Sequence, residues 1–507
     1  MMKTRGGATL LLYALAAHVV GQSASAQMGV HPVPTPKQWP TNAWLEATPE
    51  SQGLSSNDLA DALEFAAASH INIHSLTVVR NGFVVLDAYL YPFTREMRHD
   101  IASNTKSIVS LLVGMAVAEG RISGLVQPVV DLLPTNATRG LSERKAHIRV
   151  GDLLSMQSGL DCGFARGEPE LREMNKRPDG VAYALSLNMV ADPGTRFGYC
   201  SPNYHVLSAA LATANRVSVF EYARAHLFDP LGIKDAYWPA DRMGITHGWG
   251  DLQLHPRDMA KIGLLMLQRG RWDEQQLLPQ TWIDSSTTLR AHVNENDDYG
   301  LGWWLSRGMA LFEANGRGGQ RITVVPAKNM VVVMTGGGFE PGDVGRYLLA
   351  AVRADTALPE DANAQARLAA ALDAMTAGPQ AHTVSHPAIE KDVARRTYTL
   401  DDNPLGIRTF AIEFSDSATA TLRLQLTSGT VVVQPMGLDG VYRVISSENG
   451  AAAAGRGEWL PDGRFRAEFN QLARINRYSF DVEFRGDRVL IVASEPTELG
   501  TVNLHGK

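Results

Sequence analysis

Two cysteines in 507 residues, no block of like charge and, past the first thirty positions, no apolar run able to cross a bilayer: these are the things the chain lacks. Each absence closes off a class. With only Cys162 and Cys200 present, one disulfide bridge is the most the chain can form. The formal net charge of -6 is spread without long runs, so neither nucleic acid nor an anionic surface is expected as a partner. His70 and His74 stand four apart, but they fall where a helical pattern gives way to a strand, and no third ligand matches them. No metal is expected. Gly316-Arg-Gly-Gly-Gln320 is glycine-rich, yet it precedes a strand and lacks the Lys-Ser/Thr ending of a nucleotide cradle.

The first residues hold one short apolar run. A basic start, an apolar stretch from Ala8 to Gly21 and the small-residue site Ser23-Ala-Ser-Ala26 read as a secretory signal over residues 1–26. The run is shorter than the roughly 20 residues a span needs, so export to a bacterial periplasm or beyond is expected, with no span left after cleavage. There, Cys162 and Cys200 are expected to close a loop worth roughly 4 kcal/mol. Two separate buried thiols are the alternative.

A chain of this length predicts two or three domains. Residues 27–50 read as an extended arm, 51–375 as one mixed domain, 376–390 as a linker and 391–507 as a second domain. In the mixed domain the apolar spacing predicts helices over 56–69, 104–119, 148–159, 204–215, 219–227 and 256–268, and helical structure within 341–372. Asn81-Gly82 between two β-branched runs predicts a hairpin. Further strands are expected from 299, over 321–326 and over 330–335, and residues 161–192 read as a polar, irregular loop over a site. Beyond residue 391, seven or eight short alternating segments predict a β-barrel or sandwich.

The chemistry gathers at Ser103. A helix starting there brings Ser103 and Lys106 onto one face at i, i+3. A lysine in a water-poor site can lose its proton near neutral pH and take the serine's. The helix N-terminus adds N–H groups suited to an oxyanion. The spacing alone is weak, because Ser142-Glu-Arg-Lys145 repeats it in a charged stretch. Tyr199 is the candidate second proton carrier, a phenol expected to be pushed towards phenolate by a neighbouring ammonium. The oxyanion donors expected are the Ser103 N–H and one from the strand starting at Gly316-Arg317.

These stretches together resemble the serine β-lactamase and penicillin-binding-protein superfamily in its class C-like branch. The resemblance is carried by Ser103-Asn-Thr-Lys106, Asp152 to Leu160, Pro193-Gly-Thr-Arg-Phe-Gly-Tyr-Cys-Ser201, Leu254-His-Pro-Arg-Asp258, Tyr299-Gly-Leu-Gly-Trp303 and Gly316-Arg-Gly-Gly-Gln320. The 6-aminohexanoate-dimer hydrolase and esterase subgroup is the most similar in appearance. The resemblance implies an α+β fold, a five-stranded antiparallel sheet flanked by helices with a helical lobe, and Ser103, Lys106 and Tyr199 as the catalytic set without a cofactor. Two departures stand out. Ser201 replaces the asparagine of a Y-x-N motif, implying a shorter polar contact to substrate. Gly316-Arg317-Gly318 stands where K-T-G is common, so Arg317 either points in to hold a substrate carboxylate or lends only its backbone from the surface.

The expected activity is hydrolysis of a small carboxylic ester or short amide. A β-lactamase, a D-amino-acid peptidase and a penicillin-binding sensor that acylates without turnover are the alternatives. The C-terminal β-domain resembles the lipocalin-like barrels appended to some of these hydrolases and is expected to stabilise or cover the site.

Overall fold

The computed structural model describes residues 33–163, 168–384, 386–394, 396–446, 451–497 and 499–507; the expected signal segment lies outside them. Ser55 caps α1 (Ser56–Ala68) by accepting from the Asp58 N–H, satisfying a donor the helix start leaves open. Next come β1 (Ile73–Arg80) and β2 (Phe83–Tyr89), the predicted hairpin. Its turn residues Asn81 and Gly82 take φ of 53° and 83°, a region that favours these two residue types.

The remaining principal elements, in order, are α2 (Asn104–Ala118), α3 (Ser201–Asn215), α4 (Pro256–Leu267), β3 (Phe312–Gly316), β4 (Gln320–Val325), β5 (Met330–Gly336), α5 (Pro341–Ala351) and α6 (Ala362–Thr376). The five long strands pair antiparallel in the order β2-β1-β5-β4-β3, as the resemblance implied. They form the centre of a nine-stranded sheet. Leu45–Glu46 from the arm adds in parallel beside β2, and three short strands, 304–306, 297–299 and 291–292, extend the β3 side.

Apolar residues of α1, α5 and α6 (Leu59, Leu63, Leu348 and Leu368) bury one sheet face with Leu76 and Met334. On the other face α4 approaches so closely that a Cβ on Gly263 would stand 2.4 Å from Val331 Cγ1. Helix α2 is buried all round from Asn104 to Ala116, which is why its apolar pattern runs unbroken instead of striped.

Among its described residues the predicted loop over 161–192 carries helices at Pro169–Lys176 and Gly180–Ser186, the second capped by Asp179. The first buries only Met174 and is otherwise polar, and the second is seven residues long, too short to show a helical stripe. The helix predicted over 148–159 ends at Leu154, because Met156 and Gly159 turn the chain at φ of 58° and 78°.

From Thr397 a ten-stranded sheet forms around Phe410, Leu422, Phe465, Phe480 and Ile491. Thr399 and Lys507 exchange backbone hydrogen bonds of 2.8 and 3.1 Å, so the first strand meets the last and the sheet nearly closes into a barrel. Two of its strands, Ala452–Trp459 and Gly500–Gly506, were not predicted, since alanine and glycine dominate the first and a glycine opens the second. Among the described residues no helix is long and apolar enough to cross a membrane.

Candidate active site

Both S-x-x-K copies stand at helix starts, and their hydroxyls do different things. Ser142 Oγ accepts from the Lys145 N–H at 3.4 Å as an ordinary cap, and Lys145 Nζ turns away to Leu185 O. Ser103 makes no cap bond. Its Oγ accepts from Lys106 Nζ at 2.7 Å, and Nζ makes a second bond, also 2.7 Å, to Trp249 O. Lys106 is 1% exposed. Burial pulls its ammonium down to about 8, against the opposing pull of the Glu168 carboxylate.

Tyr199 completes the group. Its phenol lies within hydrogen-bonding reach of Ser103, its ring centroid stands 5.1 Å from Lys106 Nζ, and Trp304 stacks on it at 6.0 Å. The expected phenolate is corrected. Burial drives the phenol well above its ordinary value, Glu168 and Tyr299 push the same way, and the bond to Ser103 offsets them only in part. The phenol is neutral, and the titratable partner of Ser103 near neutral pH is Lys106.

The local sequence explains why Tyr199 sits there. The Gly198 N–H donates to Met156 O at 2.8 Å, and the Cys200 N–H donates to Met156 Sδ at 3.4 Å. Cys200 is bridged to Cys162, as one of the two sequence alternatives held. Denatured, unreduced protein is therefore expected to show no thiol by colorimetric titration and two after reduction; two before reduction would mean the bridge does not form. Leu154 O receives both the Tyr204 hydroxyl, at 2.8 Å, and the Gly302 N–H, at 3.1 Å. Asp152 to Leu160 is thus a scaffold for the tyrosine.

The glycines of Tyr299-Gly-Leu-Gly-Trp303 have a similar cause. Gly302 takes φ of 81° and abuts α2, where a Cβ would stand 2.9 Å from Ser110 Cβ and 3.3 Å from Lys106 O. Ser107 and Ser110 then donate to Gly302 O and Leu301 O, each at 2.6 Å.

Ahead of the serine, Ala102 takes φ of 48°, uncommon without glycine, and its N–H donates to Asp100 Oδ1 at 2.8 Å. The end of β3 presses on this turn: a Cβ on Gly316 would stand 2.6 Å from Ile101 O. The structure therefore brings together Ser103, Lys106, Tyr199 and Gly316. Three other expected residues are placed otherwise. Arg317 Nη1 donates to Thr497 Oγ1 of the barrel at 2.7 Å and so is not simply solvated, and Gly318 faces barrel residue Ile475. Ser201 is 1% exposed in the first turn of α3, and its hydroxyl has no partner among the described residues, so it is not at the cleft surface.

Trp249, Asp100 and Trp304 were missed. A signal existed for the first in His247-Gly-Trp-Gly-Asp251, where two glycines flank one bulky residue; a Cβ on Gly248 would stand 2.0 Å from Tyr204 O. His74 pairs with His99 at 2.8 Å, and among the described residues no cluster of three metal-ligating side chains occurs. Two clefts meet at Phe197, and the first reaches Tyr199. One is lined by Cys162, Val190, Phe197 and Tyr199, the other by Gln157, Phe197, Arg290 and His292.

The family model described as Beta-lactamase matches residues 63–357. The chain is 25% identical over 278 residues to the 6-aminohexanoate-dimer hydrolase of Paenarthrobacter ureafaciens, covering 50% of this chain and 70% of that protein. With Protein flp of Staphylococcus aureus (strain MW2) it shares 24% over 173 residues, 32% of this chain and 34% of that protein. Among solved structures, a candidate 6-aminohexanoate-dimer hydrolase from Bacillus anthracis superposes with a TM-score of 0.52 at 19% identity, covering 62% of this chain and 89% of that one. EstCE1, a hydrolase with promiscuous acyltransferase activity, gives 0.50 at 15%, covering 59% and 99%. At these identities the structural likenesses speak for the fold.

Proposed function

The chain belongs to the beta-lactamase family, a family of hydrolases, and from that premise we propose that it is a serine hydrolase cleaving a carboxylic ester or short amide through an acyl-enzyme on Ser103. The observation that carries this reading is the 2.7 Å bond from a buried Lys106 ammonium, drawn down to about 8, to the half-buried Ser103 hydroxyl.

As Ser103 Oγ attacks the substrate carbonyl carbon, Lys106 Nζ takes the hydroxyl proton. Negative charge then builds on the former carbonyl oxygen. The Ser103 N–H, at the open N-terminus of α2, and the Arg317 N–H, following the Gly316 contact, are the donors for it. The C–O or C–N bond breaks as the leaving group takes a proton from Lys106, with the neutral Tyr199 phenol bridging donor and leaving atom. Water attacks the acyl-enzyme, and the acid departs with Ser103 restored.

Esters and short amides are favoured over β-lactams because Gly316-Arg317-Gly318 supplies no lysine for a substrate carboxylate and its one cation, Arg317, donates to Thr497 of the barrel. The Cys162–Cys200 bridge supports an oxidising, extracytoplasmic setting and, with the reading of residues 1–26, export.

A substrate panel tests the proposal. Short-chain nitrophenyl esters are expected to turn over in steady state, and nitrocefin and D-alanyl amides much more slowly. A burst followed by no steady turnover would instead mean a protein that acylates and stalls, and preferred nitrocefin cleavage a β-lactamase.

A further inference from the structure

One turn of the barrel, residues 471–476 between the strands Phe465–Asn470 and Arg477–Arg485, reaches three segments around the nucleophile. Ala473 O accepts the Asp100 N–H at 3.0 Å, just ahead of the Ala102 turn. Ile475, 1% exposed, seats on Gly318, where a Cβ would stand 2.4 Å from its Cγ2. Arg474 Nη1 lies 3.4 Å from Asp251 Oδ1, on the loop whose Trp249 carbonyl holds Lys106. Thr497 braces the arrangement, accepting from Asn476 Nδ2 at 3.3 Å as well as from Arg317.

Two carboxylates meet under this turn. Asp100 is 4% exposed and holds the Ala102 N–H. Burial pushes it up to about 6 and the Asp251 charge pushes the same way, while Arg474 and Arg317 pull back. Burial also pushes Asp251 up, but the His247 ring bonded to it at 2.8 Å, with Arg474 and Arg317, outweighs burial and leaves it below its ordinary value. His99, whose Nδ1–H donates to Asp100 O, is drawn by burial to about 4 and carries no charge at neutral pH.

The geometry points to Arg474 as a positioning residue of the hydrolytic site: a cation supplied by the barrel that holds the Asp100 and Asp251 carboxylates side by side, so that Ala102 keeps its turn and Ser103 meets Lys106. This rests on the acyl-enzyme reading above. Two unfavourable features, a like-charge pair and a non-glycine residue at positive φ, are both held in place from outside the nucleophile's own helix.

In the full chain, Arg474→Gln is expected to lower kcat on a nitrophenyl ester about tenfold or more with KM within about twofold, since misplacement near 1 Å at reacting atoms costs up to about 100-fold. The side chain is 45% exposed, so the substitution leaves no buried gap. The pH profile separates positioning from mere support. Its acid side is expected to show two breaks, an upper one from Lys106, drawn down to about 8, and a lower one from the Asp100–Asp251 pair; Arg474 acts on the second and not on the first. Only the lower break is expected to rise in Arg474→Gln, and Arg474→Lys is expected to return it and most of kcat. Unchanged kcat, or a lower melting temperature with both breaks in place, would overturn the inference. Labelling of wild-type Ser103 is measured in parallel. No label and no turnover there removes the acyl-enzyme reading, whereas an active, labelled wild type with an indifferent Arg474→Gln removes this inference alone.

Discussion

Alanine in place of Ser103 is expected to lower ester turnover by at least about 10⁴-fold and to abolish labelling by a fluorophosphonate probe, with the fold intact. The size follows from removing the group that forms the covalent bond: what survives is only what the oxyanion donors and binding contribute. The intact fold follows from geometry. The Ser103 hydroxyl caps no backbone N–H, so its loss does not open the start of α2. Ser142→Ala is the matched control. It removes a true cap bond, costs about 1 kcal/mol of local stability and leaves turnover untouched. Labelling that persists in Ser103→Ala would place the nucleophile elsewhere and sink the catalytic assignment.

How far the site was legible in the sequence divides by the range of the forces involved. Helix α2, the hairpin at Asn81-Gly82 and the pairing of Ser103 with Lys106 are set within a few residues, and periodicity reports such features. The pairing with Tyr199, 96 positions later, followed from a motif and not from physics. Three things could not be read. The charge state of Tyr199 is decided by burial among Glu168, Tyr299 and Trp304, which no spacing encodes. The direction of Arg317 is decided by Thr497, 180 positions away in the barrel. The turn at Ala102 is held by Asp100, whose own partners, Asp251 and Arg474, come from distant segments. In each of these three the deciding partner lay in another part of the chain.

Lys106→Met carries the second large effect, and it opposes function to stability. Lys106 must be neutral to take the Ser103 proton, and below about 8 it is mostly charged. Wild-type kcat/KM is therefore expected to climb with pH and level off above about 8, while Lys106→Met falls by about 10³-fold or more and loses that limb. Stability moves the other way. Because burial lowers the lysine from 10.5 to about 8 in the folded chain, the unfolded chain binds more protons across that interval. Wild-type stability consequently rises from pH 8 towards 10.5, by about 3 kcal/mol, the energy equivalent of the difference between the two values. Below pH 8 the folded protein bears that penalty in full, and methionine removes it. Against this stands the Trp249 carbonyl, left without the Nζ donor at a cost of about 1–3 kcal/mol, so the net change at pH 7 is small and decides little. The slope decides. Urea unfolding at several pH values is expected to show stability rising through pH 8–10 in wild type more steeply than in Lys106→Met; parallel curves would mean that the lysine is not held in a low-pKa state, and the proposed base would lose its physical ground.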